Sequence, residues 1–281
     1  MFISLIWADY TERPAIQTVV TMPKFAANLS FLFADVPFAA RFARAAAAEF
    51  KGVEYLFPYE WSAAEIAGWL KAADLEQVLF NLAAGDWAAG ERGLACLPQR
   101  QGEFVASVEQ ALEYAMVLDC SRVHCLAGLR PAGVGEAELE ETYVANLRFA
   151  ADRFATIGAT VMIEPINSRI DMPGYWLDDI DKGFRLLAAV DRSNVKMQYD
   201  IYHAQVIAGD LARTLEANIE RIGHIQIADN PGRHEPGTGE INYPFLFDLL
   251  DRLGYTGWIG CEYKPAGATE AGLGWRQQLV Q

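Results

Sequence analysis

The sequence predicts an α/β protein built as one closed (β/α)₈ barrel, and three observations lead there. Short β-rich runs alternate with longer helical stretches from Lys24 to the C-terminus, the alternation never breaks, and eight runs can be counted. About 260 residues is the length that eight strand–helix units occupy. Serial alternation implies parallel strands joined by right-handed crossovers. An open doubly wound sheet fits less well, since it usually has fewer strands and often a glycine-rich first turn. Neither GxGxxG nor a P-loop pattern follows any run, so a nucleotide cofactor has no support.

Taken in order, the strands read KFAANLS from Lys24, GVEYLF from Gly52, QVLFNL from Gln77 and RVHCLAG from Arg122. TVMIEPIN from Thr160, VKMQYDIYH from Val195, HIQIADN from His224 and GWIGCEYKP from Gly257 follow. Between them lie PFAARFARAAAAEF, SAAEIAGWLKAADL, EFVASVEQALEYAMVL, ELEETYVANLRFAADRFATIG, DDIDKGFRLLAAV, DLARTLEANIERIG and YPFLFDLLDRLG. Each carries apolar residues at three- and four-residue spacing, the pattern of a helix laid on a sheet. Gly158, Gly223 and Gly254 close three of these helices, where a left-handed cap costs glycine least.

Composition narrows the partners. The chain has 281 residues, 52% hydrophobic and 21% charged, with a formal net charge of -14. So acidic a surface argues against nucleic acid or an anionic membrane as main partner. The four cysteines, Cys96, Cys120, Cys125 and Cys261, show no metal-site or disulfide spacing and read as buried thiols of a reducing compartment. No run approaches the ~20 apolar residues of a membrane span. The opening MFISLIWADYTERP has no basic region before its apolar start, so no secretory signal is expected and the location reads as cytoplasmic. Residues 1–21 read as an extension or a start placed too early, and residues 22–281 as the single barrel domain. A homo-oligomer stays open, because Trp61, Trp69 and Trp176 would suit an interface or a closed pocket alike.

In such a barrel the working residues stand at the C-terminal ends of the strands. Strand five ends in Glu164 and Asn167, strand six in Asp200 and His203, strand seven in Gln226, Asp229 and Asn230, strand eight in Glu262 and Lys264. Four consecutive strands thus each bring an oxygen ligand: Glu164, Asp200, Gln226 and Glu262. Singly, Asp200 could be a strand-end cap and Gln226 a satisfied core amide. Together, three crowded carboxylates repel unless a pKa rises or a cation binds, and a cation is the simpler solution. No cysteine joins them, which points to a divalent hard metal, magnesium first and manganese as the alternative.

The segments FAANLSFLF, GVEYLFPYEW, GDWAAGERGLACLP, MIEPIN, QYDIYHAQ, HIQIADNPGRHEPGTGEINY and WIGCEYKP together resemble the hydroxypyruvate isomerase family, within the larger group of xylose-isomerase-like TIM barrels. The resemblance runs from about Met22 to Trp275. It implies a metal-assisted aldose–ketose isomerase acting on a small hydroxylated 2-oxo acid, with hydroxypyruvate and tartronate semialdehyde as the namesake pair. A 2-oxotetronate isomerase branch shares most of these motifs. It also implies that Glu164 and Glu262 are the two acid/base residues and that the metal ligands are these two plus Asp200 and Gln226. Many family members have His-Asn at the end of strand three where this chain has Phe80-Asn81. That leaves Asn81 as the strand's polar end and takes away one possible hydrogen bond to substrate.

A substrate carboxylate needs a cation despite the chain's acidity. His203, Lys264, Arg233 and Arg92 are the candidates. The alternative readings are a core histidine for His203, a solvated lysine for Lys264 and, as the default, surface positions for both arginines. His203 would share the side of Asp200 only if the strand twists or bulges. The loop Ala83 to Gly102 is long for a strand–helix connection, and Trp87 within it could cover the substrate or pack on another subunit. A metal-dependent sugar 3-epimerase is the competing enzyme class, and a sugar-acid-binding barrel without turnover the competing non-enzyme. A barrel endonuclease needs many histidines and a basic face, and this chain has four histidines.

Overall fold

The computed structural model describes residues 23–279. Its eight strands are β1 (Lys24–Asn28), β2 (Gly52–Tyr55), β3 (Glu76–Asn81), β4 (Arg122–His124), β5 (Thr160–Ile163), β6 (Val195–Asp200), β7 (Ile222–Ile227) and β8 (Trp258–Cys261). They pair in parallel in chain order, and β1 pairs with β8 to close the barrel. The helices are α1 (Phe38–Ala47), α2 (Ala63–Ala73), α3 (Gln101–Leu118), α4 (Glu136–Ala155), α5 (Ile180–Val190), α6 (Ile201–Ile207), α7 (Leu211–Asn218) and α8 (Tyr243–Arg252). Two short turns of helix, α9 (Thr269–Gly272) and α10 (Trp275–Gln278), end the described chain. The predicted extension, residues 1–21, lies outside the described residues.

Local chemistry starts the helices where the sequence turns polar. Ser62 and Glu65 form a reciprocal capping box on α2, and the Asp179 carboxylate accepts from Lys182 N at the start of α5. The apolar faces of the helices then close on the outside of the sheet, where Phe42, Ile66, Val108, Leu147 and Phe247 meet Val53, Val123, Val161 and Ile225 in one cluster. A separate small cluster of Ala26, Val78, Leu79 and Met162, with Trp258 against it, marks the floor of the barrel interior. Ala26, Leu79 and Met162 stand two residues before Asn28, Asn81 and Glu164, so the same strand faces are apolar low in the barrel and polar at its mouth.

Three sequence expectations change here. Strand six stops at Asp200, and α6 begins at once, with Asp200 as its cap accepting from Tyr202 N at 2.8 Å. His203 therefore reaches the side of Asp200 through one turn of helix, not through a twisted or bulged strand. Gly158 and Gly254 do take left-handed φ values of 69° and 72°, whereas Gly223 lies inside β7. A Cβ on Gly223 would fall 2.7 Å from Met162 Cε, so packing requires the missing side chain there. Finally, Trp176 is buried, with Lys182 Nζ 3.6 Å from its ring centroid, and Trp61 stacks on Phe38 at 4.3 Å. These tryptophans pack the fold.

The four cysteines are buried free thiols, as their spacing suggested. No helix among the described residues is long and apolar enough to cross a membrane.

Candidate functional site

The mouth of the barrel holds a pocket of about 250 Å³, at the small end for ligand sites. Glu164 stands one residue past β5 and Glu262 one residue past β8, both on its wall, while Asp200 ends β6 and Gln226 sits within β7, buried beneath. Asn81, Trp87, Arg92, His203, Arg233 and Lys264 all line it. Lys264 is exposed at the rim. Arg92 lies 4.1 Å over the Trp87 ring and donates to Trp87 O, so the two side chains of the long loop form one unit. Arg233 corrects its surface reading: it is only 8% exposed, donating to Asp171 Oδ1 at 2.9 Å and Glu262 Oε1 at 2.7 Å.

Two amides connect the two glutamates. Gln198 Nε2 donates to Glu164 Oε2 (2.9 Å) and to Gln226 Oε1 (2.7 Å), and Gln226 Nε2 donates to Glu262 Oε2 (2.6 Å). Among the described residues, two buried carboxylate oxygens have no hydrogen-bond partner: Glu164 Oε1, and Asp200 Oδ2, which has Arg233 Nη2 3.9 Å away. One ligand atom each from Glu164, Asp200 and His203 lies within 4.8 Å of the others. Buried acceptors left without donors, gathered beside an imidazole, are what a divalent cation satisfies, and the cluster fits one.

Electrostatics agree with that geometry. Burial, then the charges of Glu262 and Asp200, push the Glu164 carboxyl well above its ordinary range. Burial raises Glu262 to about 8 against the pull of Arg233, and raises Asp200 to about 6 against the same arginine. Burial and the Arg233 charge hold His203 well below its ordinary value, which keeps the ring neutral. Its tautomer is set by a neighbour. Asn167 Oδ1 accepts from the Ile170 and Asp171 amides and its Nδ2 donates to Asp171, so Nδ2 also faces His203 Nδ1 at 2.7 Å and leaves the ring proton on Nε2.

Several residues here were not legible as site residues. His124 ends β4, lines the pocket, lies 3.5 Å from Glu164 Oε2 and is held neutral, its pKa lowered to about 3 by burial and by His224. Asp171 and Gln198 also line the pocket, and Glu54 lies fully buried under it. The available signal was a polar residue inside an apolar run, as in VEY, RVH and MQY. Phe80 alters an expectation in the other direction. Its side chain lies in the cluster between sheet and helices, 6.5 Å from the Tyr59 ring and outside the pocket lining. A histidine at that position would face away from a ligand.

Comparison with known proteins gives a consistent result. The family model described as xylose isomerase-like TIM barrel matches residues 42–279. The chain is 54% identical over 254 residues to a 2-oxo-tetronate isomerase of Cupriavidus necator, covering 90% of this chain and 97% of that one. It is 48% identical over 254 residues to the hydroxypyruvate isomerase of Escherichia coli, covering 90% and 98%. A crystal structure from Brucella melitensis, described as an AP endonuclease of family 2, superposes with a TM-score of 0.89 at 49% identity and covers 92% of this chain and 100% of that one.

Proposed function

Because the chain belongs to the xylose isomerase-like TIM barrel family, with isomerases as its named relatives at 48–54% identity, we propose that it is an aldose–ketose isomerase of a small hydroxylated 2-oxo acid. The reaction is the interconversion of hydroxypyruvate and 2-hydroxy-3-oxopropanoate through an enediolate. The observation that carries this reading is the pair of buried glutamates on β5 and β8, flanking a small pocket beside an acceptor cluster that lacks a cation's worth of donors.

A divalent metal, magnesium or manganese, would supply Lewis acidity to the substrate oxygens. Glu164 and Asp200 would hold it, with Gln226 and Glu262 completing an oxygen set. His203 as a ligand would need its ring proton moved to Nδ1, which the Asn167 amide opposes, so its Nε2–H is assigned to a substrate oxygen. Glu164, buried on the pocket wall, is the group that takes a proton from carbon. Glu262, held by Arg233, Asn28 and Gln226, is the group that returns a proton to the neighbouring carbon. Lys264 and the Arg92–Trp87 unit at the rim suit the substrate carboxylate, and the loop bearing Trp87 would keep water from the enediolate.

A second reading, 2-oxotetronate isomerisation, is favoured by the higher identity to the Cupriavidus necator relative. Proton NMR in D₂O with each acid, magnesium and a chelated control tests both. Metal-dependent deuterium entry next to the carbonyl is expected with one of them and chooses the substrate. Exchange with neither, in protein shown to bind metal, would favour an epimerase or a binding barrel instead.

A further inference from the structure

Below the pocket lies a carboxylate that no ligand in the pocket could touch. Glu54 of β2 is fully buried, at a point where the register between β2 and β3 shifts, between Val53 and Glu54. Such an irregularity re-aims a side chain, and here three nitrogens from two other strands, β1 and β7, converge on the carboxyl. Asn28 Nδ2 and Gln226 Nε2 donate to Oε1 at 3.0 and 2.7 Å, and His224 Nε2 lies 2.7 Å from Oε2. The barrel makes room for it at one place. A Cβ on Gly260 would fall 2.3 Å from Oε1 and 2.4 Å from Oε2, so Gly260→Ala is expected to displace the carboxyl and to lower the urea midpoint.

A primary amide has two ends of nearly equal size, and only its hydrogen bonds decide which end faces where. Gln226 turns its Nε2 to Glu54 and Glu262, and its Oε1 to the side of Gln198 and Glu164. Glu262 cannot be the sole orienting partner if it also meets the cation and the substrate, and Gln198, which donates to Gln226 Oε1, is itself an amide that can turn. Glu54 has no such second role. We propose that Glu54 is the positioning residue that fixes the Gln226 carboxamide, so that an oxygen and not an NH₂ group faces the cation cluster of Glu164 and Asp200. This rests on the metal-site reading above, and it assigns to Glu54, with His224 holding its other oxygen, a role in cation affinity without contact to cation or substrate.

The test is Mn²⁺ affinity, read from the electron paramagnetic resonance of free Mn²⁺, in the wild type, Glu54→Gln, Gln226→Leu and the double variant. Glu54→Gln replaces an acceptor-only carboxylate by an amide that can present either end, so the Gln226 amide is no longer held with its Nε2 on this side. Affinity is expected to fall about 10–100-fold. In the Gln226→Leu background, Glu54→Gln should cost nothing further, because there is no amide left to orient. Glu54→Asp keeps the charge but withdraws the carboxyl by one methylene, and is expected to lose affinity as well, which covers the case in which Glu54→Gln does not fold. An equal loss from Glu54→Gln in both backgrounds would make Glu54 a distant charge and overturn the proposal. Unchanged affinity in Gln226→Leu, or in Glu54→Asp, would overturn it while the metal reading stands. Absence of Mn²⁺ binding to the wild type would overturn both.

Discussion

Glu164→Gln is expected to lower turnover by about 10²–10⁴-fold and, at the same time, to raise the thermal midpoint of the metal-free protein. The two effects have one cause. Among the described residues Glu164 Oε1 is a buried acceptor with no hydrogen-bond donor, beside Asp200 Oδ2, which has none either and only the Arg233 charge at 3.9 Å. Glutamine removes the base and replaces an unpaired acid by a neutral group whose NH₂ can donate to Asp200, a gain on the order of 1–3 kcal/mol. Glu262→Gln should match the loss of turnover and reverse the stability change. Its Oε1 takes the Arg233 guanidinium at 2.7 Å, and weakening a buried pair of this kind leaves a buried cation poorly matched. Initial rates by NMR and melting by circular dichroism, both on chelated and metal-loaded protein, separate the four numbers. Near-normal turnover in either variant would remove that glutamate from the chemistry.

The barrel was legible because its signals are local and repeated. Each strand is a short apolar run, each helix has its own period, and eight repetitions leave few topologies open. The polar strand ends were legible for the same reason: Glu164, Asp200, Gln226 and Glu262 break apolar runs at the same place in successive repeats. What could not be read is what depends on direction. The sequence around Asp200 and His203 does not say whether the chain continues as strand or turns into helix. The turn is decided when the Asp200 carboxylate caps two amides, at 2.8 and 3.4 Å. Phe80 beside Asn81 carries the converse lesson, since one residue's shift along a strand moves a side chain from pocket to outer core. Arg233 is hidden by residue type, because a loop guanidinium is usually solvated, and its burial follows from carboxylates distant in the chain, Asp171 in the loop after β5 and Glu262 after β8. Glu54 and His224 recognise each other across 170 residues of chain, a separation that no local pattern reports.

The metal-free protein is expected to lose stability as pH rises from 6.5 to 8, and a divalent cation to restore more of it at pH 8 than at pH 6.5. Glu262, raised to about 8, and Glu164, raised well above its ordinary range by burial and its neighbours, retain protons in the folded state that an unfolded chain has released near pH 4.5. Their contribution is complete below that unfolded value and is lost as pH climbs through the folded one, so the native state binds more protons and stability falls. His203 and His124 act oppositely. Their folded values lie below the ordinary 6.5, so what they contribute is present above 6.5 and lost only as pH falls, which leaves this window to the carboxylates. One proton held over one and a half pH units amounts to about 2 kcal/mol, a fall on the order of 4–8 °C in midpoint for a chain of this size. A cation displaces those protons, and competition with them weakens its binding at the lower pH. Melting curves at pH 6.5, 7.2 and 8, with chelator and with Mn²⁺, measure both slopes. A flat metal-free midpoint together with a pH-independent metal shift would mean that the carboxylates of β5 and β8 are not an unpaired cation site, and the assignment of Glu164 and Glu262 as metal-linked acid and base would fall with it.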